Sequence, residues 1–68
     1  MPDKNEILEA AVSALVSGYR ADKAGAYSPP GIDEAVTAAR AVGFSSHEIF
    51  GTADRRWGQE LIDNAGRR

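Results

Sequence analysis

Apolar residues in the first third of the chain fall at Ile7, Leu8, Ala11, Val12, Leu15, Val16 and Tyr19, the three- and four-residue spacing of a helical face. At about 100° per residue this face covers roughly 180° of the helix surface, against the ~100° stripe that packing on a single neighbour requires. Asp3 with Glu6 three positions later forms a capping-box pattern at the start, and Gly25 supplies a left-handed stop, so a helix is predicted over residues 3–24. The surplus apolar arc predicts self-association. Leu8, Val12 and Val16 are its expected homodimer interface.

A second helix is predicted over 32–42, where Ile32, Ala35, Val36, Ala39 and Val42 share an arc rich in small side chains. Gly43 ends it, and Phe44 is placed to fold back against it. Ser45 and Glu48 repeat the capping-box spacing, and Ile49, Phe50, Ala53, Trp57 and Leu61 fall within about 120°, predicting a third helix over 46–64 with Trp57 in the core. Gly51 and Gly58 oppose it, each costing about 1 kcal/mol relative to alanine, and a break at Gly51 with Thr52 as a new cap would make four helices. Between the first two helices, Ala26-Tyr27-Ser28-Pro29-Pro30-Gly31 reads as a stiff connector with Tyr27 packed back on the core. Residues 65–68 should fray. The expected fold is a single all-α domain over 1–68, a small three-helix or four-helix domain with a helix-turn-helix-like corner.

With 68 residues, one small core supplies only about 3–5 kcal/mol, so folds of this size often carry a staple. Cysteine is absent and His47 is the sole imidazole, which excludes a disulfide and leaves no ligand set for structural zinc. Self-association is the staple that remains. The composition, 43% hydrophobic and 26% charged, is that of an ordinary globular domain. There is no long apolar run and no signal-peptide pattern at the start, so the expected setting is cytoplasmic, without membrane contact. A net charge of −2 gives no global attraction to nucleic acid. Any such attraction must be local.

Ala39, Gly43 four residues on and Ile49 six further on, flanked by Val42 and Phe44, form a pattern that resembles a helix-turn-helix motif over about twenty residues. In that motif the alanine permits close helix crossing, the glycine makes the turn, and the later aliphatic residue anchors a second helix that reads the major groove. Two positions depart from it. Thr52 stands where a buried apolar residue belongs, and Phe50 where side chains face DNA. The resemblance implies a small DNA-binding regulatory protein in which Ser45, Ser46 and His47 approach bases or phosphates at the start of the recognition helix. Arg55 and Arg56, with Arg67 and Arg68, are the basic concentration that would hold flanking phosphates, although Asp54, Glu60 and Asp63 are interleaved with them.

Ala41-Val42-Gly43-Phe44-Ser45 is also similar to the Met-Gly-Phe turn of ubiquitin-associated three-helix modules, with Val42 in the methionine position. Those modules bind partners through the turn. The alternative function is therefore a helical protein–protein interaction module of the adaptor, antitoxin-like or phage-type inhibitor kind. His47-Glu48 beside Ser45-Ser46 has the residue types of a hydrolytic site, but sequence neighbours on a helix do not point at one another. No phosphate-cradling glycine loop, metal or cofactor motif accompanies them, and an enzyme is not expected.

Overall fold

The apolar spacing along the chain is realised as helices in the computed structural model, which describes residues 3–66. The described residues form three helices, α1 (Lys4–Lys23), α2 (Ile32–Ala41) and α3 (Ser46–Ala65), and no strand. α1 starts where the Asp3 carboxylate accepts the Glu6 backbone N–H at 2.9 Å. It ends where the Gly25 N–H reaches the Asp22 carbonyl at 3.1 Å and the Ala26 N–H reaches that of Ala21 at 2.8 Å. The same closure ends α2, with Gly43 N–H on the Arg40 carbonyl at 3.1 Å and Phe44 N–H on that of Ala39 at 3.2 Å. Both corners need a left-handed residue, and φ is +74° at Gly25 and +111° at Gly43. Glycine adopts it without the Cβ penalty of other residues.

α1 is the hub. α2 and α3 pack against it far more than against each other. Ala11, Val12, Leu15 and Val16 of α1, Ala39 of α2, and Ile49 and Ala53 of α3 are buried together, with Ile7, Leu8, Tyr19, Ile32, Ala35, Val36, Phe44 and Trp57 packed around them. The wide arc of α1 is thus divided between two neighbours in the same chain. This removes the basis for the expected dimer face, because Val12 and Val16 are 0% and 4% exposed and close the monomer's own core, while Leu8 is half-buried at its edge. α2 comes close to α1 at Gly18, where a Cβ would lie 2.9 Å from the Ile32 Cδ1.

α3 is continuous, so the alternative with a break at Gly51 does not occur. Ile49 and Ala53 anchor α3 on either side of Gly51, and Trp57 and Glu60, on either side of Gly58, both engage α1. Packing at these points offsets a propensity cost of about 1 kcal/mol per glycine. Tyr27 is the clearest departure from expectation. It is 97% exposed within a run, 22–31, in which every residue is exposed. Two prolines stiffen the connector between the helices and remove backbone donors, and Gly25 and Gly31 make the adjoining helix ends through backbone bonds alone, so nothing draws the ring inward. Trp57 is half-buried and packs at the rim of the core, and Phe50 and Ile62 are 41% and 66% exposed. The molecule is elongated, 40 × 23 × 22 Å, as two twenty-residue helices of about 30 Å require.

A Cβ at Gly51 or Gly58 would meet nothing within 4 Å. Gly51→Ala and Gly58→Ala should therefore each raise stability by about 0.5–1 kcal/mol in urea denaturation, whereas Gly43→Ala should lower it by about 1–2 kcal/mol. Equal effects at all three sites would contradict the continuous α3 and the left-handed corner.

Candidate functional site

The five residues singled out for DNA contact divide into different environments. Ser45 is the N-cap of α3, where its Oγ accepts the Glu48 N–H at 3.1 Å and the Glu48 Oε1 accepts the Ser45 N–H at 3.3 Å and hydroxyl at 3.1 Å. That capping box places a carboxylate at the helix start. Ser46 is half-buried, and His47 is exposed in the first turn. Arg55 is exposed and donates to the Thr52 Oγ1 at 3.4 Å, while Thr52 donates to the Glu48 carbonyl at 2.7 Å. Arg56 turns away from this group to α1, where both its terminal nitrogens donate to Glu9, one of them at 2.8 Å. Neighbours in sequence, Arg55 and Arg56 thus serve different surfaces. Arg67 and Arg68 lie outside the described residues.

Ala39 and Ile49 are both fully buried, and Gly43 turns the chain between them. Yet α2 and α3 rest mainly on α1, and the five candidate side chains do not converge on one surface. Among the described residues, no group of three His, Asp or Glu side chains is arranged to hold a metal ion, and no helix is long and apolar enough to cross a membrane.

A different constellation gathers along the α1–α3 seam. Its α1 partners run from Glu9 to Lys23, about 21 Å of helix, whereas its α3 partners run only from Asp54 to Glu60, about 9 Å, so the helices cross obliquely. Near the end of α1 the Tyr19 and Trp57 rings lie 6.3 Å apart at 51°, and the Tyr19 hydroxyl donates to Asp54 at 3.0 Å. The Lys23 ammonium stands 5.9 Å from the Trp57 ring centre. Arg20 makes a two-pronged pair with Glu60, with Nε donating at 3.3 Å. Tyr19, Asp22, Lys23, Trp57 and Leu61 line an open cleft of about 280 Å³. Sequence spacing could place Tyr19 and Trp57 on apolar arcs. It could not show that the two arcs meet at the surface with their rings partly uncovered.

These contacts displace four ionisations, and the hydrogen bonds to Glu60 and Glu9 raise those of Arg20 and Arg56. The hydrogen bonds from Arg56 hold the Glu9 carboxyl below its ordinary range, against a smaller opposing effect of burial. Burial first, and then the Asp54 carboxylate, push the Tyr19 phenol above its usual value. No family model, curated protein or solved structure matches the chain.

Because the Glu9 shift is downward, its contribution to stability is present above the ordinary glutamate value of about 4.3 and is lost as pH falls through the lowered folded-state value. The Tyr19 shift is upward, so its contribution is present below about pH 10 and is lost as pH rises through the raised value. Urea midpoints measured across pH should show Glu9→Gln flattening the acid limb and Tyr19→Phe flattening the alkaline limb, each leaving the other unchanged. Ultraviolet titration should place the folded phenolate above the free tyrosine value.

Proposed function

We propose that the chain is a small helical protein–protein interaction module of the adaptor or inhibitor kind, and that it engages its partner at the cleft along the α1–α3 seam. The observation that carries this reading is the half-buried Trp57 beside Tyr19, at the floor of an open cleft. Trp and Tyr combine large apolar area with few rotatable bonds, and they dominate binding energy where a partner excludes water from them. The charge arrangement supports the same reading. The chain carries ten acidic and eight basic residues, and Arg20 and Arg56 are paired with carboxylates. A phosphate backbone approaching the start of α3 meets the Glu48 carboxylate as well as the helix dipole.

The second reading, DNA binding through a helix-turn-helix, is favoured by the buried Ala39 and Ile49 around the Gly43 turn and by the free faces of His47 and Arg55. A salt series against mixed-sequence duplex DNA separates the two. The interaction module should show no retention at ~50 mM salt, where non-specific phosphate contacts are strong. Binding that weakens steeply with salt, and whose slope falls by about one unit in Arg55→Ala, would replace the proposed function with DNA binding. Tyr27→Ser and Ile62→Ser should change stability by no more than about 0.5 kcal/mol in the same preparations, since neither side chain supports the core.

A further inference from the structure

The cleft at the end of α1 already contains a cation, and that cation indicates the chemistry of its ligand. Lys23 reaches from the last turn of α1 over the face of Trp57. Its ammonium is attracted by the negative ring face, a weak interaction at an exposed site. Tyr19 forms a second, tilted wall. Because its hydroxyl donates to Asp54, the ring gains electron density and its position is fixed. Asp22 stands in the lining with a carboxylate that makes no ion pair among the described residues, and Leu61 closes the apolar side. Nearby Arg20 is held by Glu60 and does not add a free positive charge. If Lys23 swings out, two aromatic walls and the carboxylate of Asp22 remain, with Asp54 behind the tyrosine.

We infer that this cleft receives an arginine side chain from a partner protein, which displaces Lys23 from the Trp57 face and pairs with Asp22. The inference rests on the interaction-module reading and specifies what that module recognises. Arginine suits the site better than a second lysine for three reasons. Its planar guanidinium stacks on an indole face, its fork matches a carboxylate in two-pronged geometry, and it is more weakly hydrated than an ammonium. Lys23 acts as an internal competitor. The apparent affinity of the free protein is lowered by the fraction of time the ammonium occupies the ring, so removing it should tighten binding without adding any contact.

Trp57 is the only tryptophan, so its emission reads the cleft directly. The probe is acetyl-Gly-Arg-Gly-amide, compared with the same peptide carrying citrulline, which keeps the shape and lacks the charge, and with a lysine peptide. The arginine peptide should change the emission saturably in the millimolar range, the lysine peptide more weakly and citrulline hardly at all. Lys23→Ala should tighten arginine binding about three- to sixfold, corresponding to a cleft occupied by Lys23 most of the time. Asp22→Asn should weaken it by a similar factor. Both positions are exposed, so neither substitution threatens the fold, and far-ultraviolet circular dichroism checks this directly. Equal responses to arginine and citrulline, no saturation in Lys23→Ala, or unchanged affinity in Lys23→Ala would each overturn the inference. Failure here with no DNA retention leaves the interaction module standing without this ligand. Steep salt-dependent DNA binding removes the module itself.

Discussion

The structure depends on covering an apolar arc on α1 that is too wide for one neighbour. A helix of this kind must find two partners, and a chain of this size has only two other helices to offer. Both are therefore drawn to α1, and little apolar surface remains to hold α2 to α3. The alanines at 11, 39 and 53 follow from the same constraint, since three helices can share so short a core only if their axes come close. The resulting core is narrow. Much of the cohesion falls to half-buried residues around it and to polar ties along the seam, which is why large aromatic groups remain near the surface.

Local features were the most legible part of the sequence. The Asp3 and Ser45 caps, the Gly25 and Gly43 stops and the three apolar arcs depend on residues a few positions apart, and the helices begin and end close to where those signals lie. What spacing could not supply was the assignment of faces. A 180° arc on α1 is compatible with a dimer or with two internal neighbours, and only the path of the chain decides between them. Tyr27 was misplaced for a related reason: an aromatic residue suggests burial, but a short connector stiffened by two prolines holds the ring clear of the core.

The polar half of the candidate site was less visible still. The pairs Glu9 with Arg56, Arg20 with Glu60 and Tyr19 with Asp54 join residues 47, 40 and 35 positions apart. In sequence, Arg55 and Arg56 form a basic doublet beside an acidic residue, and their opposite assignments follow from the 100° turn between them. Such exposed pairs contribute little stability individually, with a median near 0–1 kcal/mol. They matter more for register, since they fix how α3 lies across α1 and so which aromatic rings share the seam.

The connector between α1 and α2, residues 24–31, contributes almost nothing to packing, yet the chain depends on its continuity. Because α2 and α3 hold α1 from different sides and scarcely hold each other, α1 is retained by contacts that a free twenty-residue helix would have to make at bulk concentration. The tether instead gives it an effective concentration in the millimolar range. A protease that cuts this exposed segment removes no core contact, but it turns an intramolecular assembly into a two-fragment complex governed by dilution.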